Sequence, residues 1–323
     1  MYLQNYYMQN TPLGYDKDEI IITNMNNNIR KSRDAFASQV KSFSGIEEVT
    51  YAEMLLSSQD QYMGWGRKYR DKDIQFQCLP VEPSFLKVMN VKISEGRDFR
   101  EEDKAKRYGT FVFNERARTE YGLEIGSLID SMEIVGFMPD VKFASFRTEV
   151  TPMAFFVWGT NNWGNQPNYA YIKVKAGSDL RGAMQHVKTT LQSFDPEYPF
   201  NVRFFDEVLN GLYEKERSLS SLITLFSLIA IFISVVGVFG LVVFDSEYRK
   251  KEIGIRKVLG STTEEIIVMF NKTYIRILCV CFVLGAPIAG YVVHRWLENF
   301  AYKTPMYLSL IHISEPTRRV VIS

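Results

Sequence analysis

Cysteine is scarce in this sequence of 323 residues, which contains only Cys78, Cys279 and Cys281. An odd number of cysteines, two of them one residue apart in an apolar run, excludes a disulfide framework as the basis of the fold. Metal binding by these residues is disfavoured too, because a C-x-C pair in a helix points its thiols in different directions. We therefore interpret all three as small buried hydrophobic residues.

Net charge is also nearly absent, since 38 lysine and arginine residues face 37 aspartate and glutamate residues. Proteins that bind nucleic acid normally present a basic surface, so this balance gives no reason to expect such a partner. Hydrophobic residues make up 46% of the chain, which excludes a disordered protein. The mean hydropathy of −0.12 conceals an uneven distribution, because almost all strongly apolar sequence lies after residue 217.

Recognisable catalytic motifs are missing as well. The sequence has no Ser/His/Asp set, Cys/His pair, glycine-rich phosphate loop or metal-ligand spacing. His186 lies in a predicted helix beside Val187, where a surface or half-packed role fits better than a ligand role. The sequence therefore predicts no catalytic residue, no cofactor and no metal site.

Two long apolar runs dominate the second part of the chain. Residues 218–244 form 27 residues without a charge, and a helix of that length would be roughly 40 Å long, enough to cross a membrane. A buried core helix seldom runs so far without a polar face. Residues 273–294 form a shorter run that contains Pro287, which a membrane helix tolerates. We predict a transmembrane helix in each run.

The segment between these runs, residues 245–272, predicts the topology. It carries six basic residues, and short loops enriched in lysine and arginine stay in the cytoplasm. Residues 1–217 and 295–306 are therefore predicted to lie outside the cytoplasm. The opening MYLQNYYMQN is no signal peptide, so we expect a further transmembrane helix before Met1. Leu308–Arg318 (LSLIHISEPTR) resembles a translated sequencing adapter, and we expect residues 307–323 to be an artefactual tail rather than a natural amphipathic one.

Residues 1–217 alternate strand-like and helical runs, which predicts a multi-layer α+β domain. The Glu101–Asp103 run is typical of the acidic first turn of a helix. Trp158, Trp163 and the loop 159–167 either bind a partner or cover the core. The predicted strands are Ile20–Thr23, Phe111–Phe113, Glu133–Phe137, Ala154–Trp158 and Tyr169–Val174, and the predicted helices are Asn28–Ser42 and Leu180–Phe194.

The segment after the first apolar run predicts a short helix just under the membrane. Gly260 supplies a stop signal, and Ser261 with Glu264 forms a capping-box pattern that starts the next helix. The short helix mixes apolar anchors with a basic rim, which suits docking in a groove of another protein or lying on anionic lipid. The candidate docking residues are Lys250, Lys251, Glu252, Ile253, Gly254, Ile255, Arg256, Lys257, Val258, Leu259 and Gly260.

The run RKKEIGIRKVLGSTTEEI (249–266) resembles the cytoplasmic segment of MacB/FtsX-like permeases, the membrane subunits of type VII ABC transporters. The similarity covers nearly all of residues 1–306 and includes Met89–Phe99 with its EGRDF, Phe111–Glu115, GFMPDVKFASFR (136–147) and FFDEVLNGLYEKERSL (204–219). Members have one helix before the outside domain and three after it. The resemblance therefore implies that the first and fourth helices are missing here. The opening (3–23) resembles the second unit of duplicated members.

The resemblance implies a partner and a mechanism. Ile253–Gly260 would contact a separate cytoplasmic ABC ATPase, whose motion would pass through helix 218–244 and a stalk, Glu207–Arg217, into the outside domain. The cargo would be a peptide, drug or lipoprotein. Other implied partners are membrane lipid, a second permease half or a homodimer, and a periplasmic adaptor. The protein would lie in the bacterial inner membrane as a multi-pass protein.

Two other functions are weighed against this one. The chain has no Walker motif, so ATP chemistry would belong to the partner and this subunit would be no enzyme. A membrane-bound sensor with an outside ligand-binding domain is the main alternative, but sensors usually carry a long cytoplasmic output domain and only 28 residues separate the apolar runs. A membrane-anchored enzyme lacks a catalytic set.

Overall fold

The computed structural model describes residues 14–57, 62–141, 149–161, 167–211 and 214–298. The chain forms two units, of which the first comprises Thr11–Ser218 and the second contains Leu219 onward. Several sequence predictions fall outside the described residues. They concern Trp163, the opening before residue 14 and the tail 307–323, together with parts of the stretches 136–147, 159–167 and 295–306.

Short strands and helices alternate through the first unit, as the sequence predicts. Its strands are β1 (Ile20–Asn24), β2 (Ile46–Ala52), β3 (Met63–Tyr69), β4 (Lys72–Pro80), β5 (Glu95–Gly96), β6 (Thr110–Asn114), β7 (Leu128–Ile129), β8 (Met132–Met138), β9 (Met153–Val157), β10 (Tyr169–Val174) and β11 (Val202–Phe204). Its helices are α1 (Asn27–Lys31), α2 (Arg33–Lys41), α3 (Phe85–Val88), α4 (Glu115–Tyr121), α5 (Leu180–Phe194) and α6 (Phe205–Gly211), with a 3-10 helix at Glu101–Ala105.

The first sheet has the strand order β11-β1-β10-β2, and all neighbours in it are antiparallel. β1 and β2 therefore run parallel on either side of β10 and are joined through α1 and α2. β10 and β11 flank β1 in the same way and are joined through α5. This arrangement is a split pair of βαβ units. The three helices pack on one sheet face, where Phe36, Val40 and Val187 are fully buried.

A second sheet is inserted between β2 and β10. Its order is β3-β4-β9-β6-β8-β5, with β7 paired to β8. β4 lies parallel to β9 and β6 parallel to β8, so the sheet is mixed. One face packs against α4 through an aromatic cluster that includes Phe76, Phe111 and Phe156. The other face shares a core with the first sheet, where the ring of Phe85 packs against both Tyr171 of β10 and Phe155 of β9.

The strands predicted from apolar runs are confirmed. FVF in β6 and AFFV in β9 are continuous runs because alternate side chains enter different cores and both sheet faces are covered. The run predicted as Ala154–Trp158 is displaced by one residue, since β9 is Met153–Val157. Trp158 lies just past the strand and packs on Phe156, with ring centroids 4.6 Å apart.

The helix predictions are confirmed with one correction. Leu180–Phe194 is α5, and the Asp179 side chain caps it by accepting a hydrogen bond from the Gly182 backbone N–H at 3.0 Å. Asn28–Ser42 is not one helix, because Ser32 leaves helical geometry (φ −114°, ψ 25°) and separates α1 from α2. The acidic first turn at Glu101 is confirmed as the 3-10 helix.

The second unit contains three helices in its described residues, α7 (Glu214–Tyr248), α8 (Lys250–Val258) and α9 (Thr263–Leu297). The interpretation of the cysteines is confirmed for Cys78, which is fully buried in β4. It is wrong for Cys279 and Cys281, which lie exposed on α9, because no described element covers the apolar window of this helix.

Candidate functional site

The candidate site lies between two helices that are long and apolar enough to cross a membrane. Among the described residues, Ser218–Tyr248 (31 residues) and Tyr274–Leu297 (24 residues) meet this condition of length and composition. They contain most of the predicted spans 218–244 and 273–294. The chain between them carries α8 and the turn that leads into α9.

The junction of α7 and α8 interrupts the helix at Arg249 without ending its hydrogen bonding. Arg249 has φ −95° and ψ 11°, yet its backbone N–H donates to the Asp245 carbonyl at 3.0 Å. The Ile253 N–H in turn donates to the Arg249 carbonyl at 3.0 Å. The Arg249 guanidinium also pairs with the Asp245 carboxylate at 3.0 Å. Backbone and side-chain contacts therefore connect α8 to the end of α7.

The predicted stop at Gly260 is confirmed. Gly260 has φ +94°, a left-handed conformation that glycine adopts without strain. Its N–H donates to the Lys257 carbonyl at 3.3 Å, and the Ser261 N–H donates to the Arg256 carbonyl at 3.0 Å. These two bonds form a Schellman motif, which satisfies the last carbonyls of α8.

The capping box is present but lies one residue later than predicted. The Thr262 hydroxyl accepts from the Glu265 N–H at 3.3 Å, and the Glu265 carboxylate accepts from the Thr262 N–H at 3.1 Å. The prediction of Ser261 with Glu264 is wrong because Ser261 already belongs to the Schellman motif. Thr262 has the extended backbone that an N-cap needs (φ −73°, ψ 156°).

The side chains of α8 separate into two faces, because successive residues in a helix turn by about 100°. On one face, Ile255, Val258 and Leu259 are 63%, 89% and 79% exposed. We call this the docking face, and it consists of Lys251, Gly254, Ile255, Val258 and Leu259. The opposite face holds Lys250, Glu252, Ile253, Arg256 and Lys257.

The opposite face is occupied by contacts within the chain. Arg256 pairs with Glu252 at 2.8 Å, and Lys250 pairs with Glu247 at 3.3 Å. Ile253 is half-buried. The structure therefore brings all the predicted docking residues into one helix and its turn, but it places Ile253 away from the exposed apolar side chains. The helical period of about 3.6 residues already predicts from the sequence that Ile253 lies on a different face from Ile255, Val258 and Leu259.

The stretch predicted as a stalk begins as a helix packed on the outside domain. In α6, Phe205, Val208 and Leu209 are buried in the core shared by the two sheets. The Phe205 ring lies 5.8 Å from Tyr15 and 6.0 Å from Tyr171, measured between ring centroids. The predicted range Glu207–Arg217 therefore joins a packed helix to the first residues of α7. The sequence does not predict this anchor, because its partners Tyr15 and Tyr171 are distant in the chain.

The charged and titratable side chains Asp103 and His186 of the outside domain make hydrogen bonds within the fold. Asp103 is fully buried and accepts hydrogen bonds from Arg97 at 2.7 and 2.8 Å and from the Arg100 N–H at 2.8 Å. His186 is half-buried and bonds to the Gln39 carbonyl at 3.0 Å, which confirms its packing role. Within the described ranges, no group of three or more His, Cys, Asp or Glu side chains is placed to hold a metal ion.

Comparisons with known proteins match both units. Residues 6–190, more than half of the chain, match the family model of the MacB-like periplasmic core domain. Residues 224–315 match the model of the FtsX-like permease C-terminal region, and the end of this match overlaps the predicted tail.

Relatives and solved structures give the following similarities. The chain is 23% identical over 230 residues to the macrolide export ATP-binding/permease protein MacB of Chromobacterium violaceum and 23% over 233 residues to that of Escherichia coli K12; each alignment covers 68% of this chain and 35% of the relative. The chain thus spans about a third of the length of these relatives. The periplasmic region of MacB from Actinobacillus actinomycetemcomitans superposes with a TM-score of 0.44 at 13% identity, covering 61% of this chain and 94% of that one. The extracellular domain of the transporter YknZ from Gram-positive bacteria gives 0.41 at 11% identity, covering 57% and 99%.

The two family models match in the same order as the two units, an α+β domain followed by apolar helices. The chain belongs to the MacB/FtsX-like permease family of ABC transporters.

Proposed function

We propose that this chain is a permease subunit that transmits ATP-driven motion of a cytoplasmic ATPase to a domain outside the membrane. The observation that carries the proposal is the exposed apolar docking face of α8, which lies between two membrane-length helices. In this proposal residues 1–217 are extracytoplasmic, 218–244 and 273–294 cross the inner membrane, and 245–272 face the cytoplasm. Residues 295–306 return to the outside, and 307–323 form the artefactual tail.

The docking face supports an ATPase partner. Ile255, Val258 and Leu259 lie outside the two apolar helices and next to basic residues, so in this topology water would surround them without a partner. Burying apolar surface gains roughly 25 cal/mol per Å². A short helix with three adjacent apolar side chains fits an apolar groove of another protein, in the manner of other helix-in-groove complexes. We propose that this groove belongs to a separate ABC ATPase.

Chain continuity supports transmission of motion. The backbone hydrogen bonds across Arg249 join α8 to α7, and α7 is a single helix of 35 residues. At its other end the chain leads back, through residues 212–213, to α6, which is fixed by Phe205 in the core of the outside domain. A displacement of the docking face would therefore be passed along a stiff helix to a packed attachment point.

The division of labour follows from the sequence and the relatives. This chain has no Walker motif, so we assign ATP hydrolysis to the partner and a non-catalytic role to this subunit. The relatives are named for macrolide export. For this chain we propose export of, or action on, a peptide, drug or lipoprotein cargo, with a second permease half or a second copy and a periplasmic adaptor as further partners.

The proposal is tested by placing charge on the docking face. The full-length protein is reconstituted into proteoliposomes with the proposed ABC ATPase partner, purified separately, and ATP hydrolysis is measured. We expect I255D/V258D to abolish the stimulation of hydrolysis, because a carboxylate in an apolar groove loses its hydration. The control R70Q/E124Q removes an exposed ion pair in the outside domain and should leave hydrolysis close to the wild-type rate. Normal stimulation of the I255D/V258D protein would show that the docking face does not contact the ATPase.

A further inference from the structure

Gly254 lies in the middle of α8, where glycine is an unfavourable residue. Glycine in a helix interior destabilises the helix by its backbone freedom, and alanine is the most favourable alternative. Gly254 has ordinary helical geometry and does not belong to the glycines with positive φ. The backbone conformation therefore does not require glycine at this position.

Packing within the described part of the chain does not require glycine there either. A Cβ atom built on Gly254 would have no heavy atom within 4 Å. Gly136 in β8 provides the contrast, because a Cβ there would lie 2.4 Å from the carbonyl oxygen of Arg97. Close approach of the chain to itself explains Gly136, but it does not explain Gly254.

The position of Gly254 on α8 indicates what approaches it. Gly254 belongs to the docking face and precedes Val258 by one helical turn, so the two positions are neighbours on the helix surface. Ile255 and Val258 flank it with large exposed side chains. The docking face therefore has a gap with bare backbone at Gly254, bordered by two apolar side chains.

We infer that Gly254 is the position at which the ATPase approaches the helix most closely. This inference rests on the docking role proposed above. A ridge on the ATPase, either main chain or the flat face of a side chain, lies against the bare backbone at Gly254, while Ile255 and Val258 enter apolar hollows beside it. Small residues allow such close approach between helices and their neighbours, and a side chain at Gly254 would hold the two surfaces apart. Gly254 is thus a positioning residue for the complex.

The test separates binding from helix stability. The dissociation constant between the full-length protein in lipid nanodiscs and the proposed ABC ATPase partner, purified separately, is measured for wild type, G254A and G254L. We expect the dissociation constant to rise about tenfold for G254A and about a hundredfold for G254L, since overfilling a packed contact is destabilising. Thermal unfolding of both variants should occur at or above the wild-type temperature, because alanine and leucine favour the helix. If Gly254 had only a structural role, the two variants would not combine a higher dissociation constant with an unfolding temperature at or above that of wild type.

The control K272L introduces the same leucine at an exposed lysine of α9, outside the predicted docking residues, and its dissociation constant should stay within about threefold of wild type. If G254A and G254L bind as tightly as wild type while I255D/V258D does not bind, the close approach at Gly254 is wrong and the docking role stands. If I255D/V258D binds normally as well, the docking role itself is wrong.

Discussion

The ring of Phe205 packs edge-on against the ring of Tyr171, with centroids 6.0 Å apart and ring planes at 79°. Phe205 is the first residue of α6, and Tyr171 lies in the centre of β10, which pairs with β1 and β2. The contact fixes the start of α6 to the middle of the first sheet. Because the chain continues from α6 towards α7, the mechanism proposed above would pass a force carried by α7 to the outside domain at this pair.

Removing the Phe205 ring should loosen this attachment and lower stability. Phe205 is fully buried, and we expect F205A to reduce the free energy of unfolding by about 3–5 kcal/mol. ATP hydrolysis with the ATPase should stay near the wild-type rate, since the docking face is unchanged. Thermal unfolding of the detergent-solubilised protein, followed by tryptophan fluorescence, measures the stability change. The half-buried Phe200 serves as control, and an F200A loss as large as that of F205A would contradict the anchoring role.

Asp103 should make the outside domain sensitive to acid. Burial alone would raise the pKa of Asp103, but the hydrogen bonds from Arg97 and the Arg100 N–H, with the charges of Arg97 and Lys106, hold this pKa below its usual value. A carboxylate with a lowered folded-state pKa stabilises the fold above its unfolded pKa of about 3.9 and loses this contribution as the pH falls through the folded value.

We therefore expect D103N to lower the free energy of unfolding by about 3 kcal/mol at pH 7, because Arg97 loses its buried partner. The difference in unfolding free energy between wild type and D103N should narrow as the pH falls below about 4, towards the lowered folded-state pKa of Asp103. Denaturant unfolding at a series of pH values measures both. E102Q, at the exposed pair Glu102–Arg100, should change stability by less than about 0.5 kcal/mol. A gap that stays constant with pH would contradict the assigned ionisation.

Alanine at Gly260 should weaken the reversal of the chain between α8 and α9. Gly260 has φ +94° with open space around it, so G260A introduces backbone strain of about 1 kcal/mol and no clash. That strain lowers the equilibrium constant between the native turn and conformations without the turn by about fivefold. We expect stimulation of the ATPase to fall accordingly.

Gly122 at the end of α4 offers a matched control, with φ +65° and the same open space. G122A should cost similar stability and leave ATP hydrolysis unchanged. Equal effects of the two variants on hydrolysis would mean that the turn at Gly260 has no special part in coupling.

The proposed topology predicts which cysteines an impermeant maleimide can reach. In a background with Cys78, Cys279 and Cys281 replaced by alanine, K92C in the outside domain should react in intact spheroplasts. K257C in α8 should react only after the membrane is permeabilised. Both native lysines are exposed, so accessibility differs only by the side of the membrane. Labelling of K257C in intact spheroplasts, with K92C protected, would reverse the topology.

The elements that the sequence predicts are those with a local signal, either an apolar pattern that matches their burial or a capping residue. Strands β6 and β9 are covered on both faces and so appear as unbroken apolar runs, and α5 has a cap at Asp179. Strand β3 escapes prediction because it lies at a sheet edge and contains Gly64 and Gly66, which give no strand signal. Strand pairing between β2 and β10, far apart in sequence, follows only from tertiary packing.

The candidate site shows the same division. The short helix α8 and its stop at Gly260 are predicted from the sequence, because each depends on local geometry. The capping residue is not, since STTEE offers two overlapping pairs and only the backbone at Thr262 decides between them. The anchoring of α6 needs Tyr15 and Tyr171, which are distant in the sequence, so no local pattern contains it.

The insertion of the second sheet has an evolutionary consequence. Its two ends leave and re-enter the first sheet side by side, because Ala52 of β2 pairs with Tyr169 of β10. A module whose entry and exit adjoin can be exchanged by recombination without breaking its host frame. Descendants could thus acquire a new outer surface while inheriting the attachment to the membrane helices intact. A replacement module must still supply apolar side chains that pack against Tyr171, as Phe85 does here.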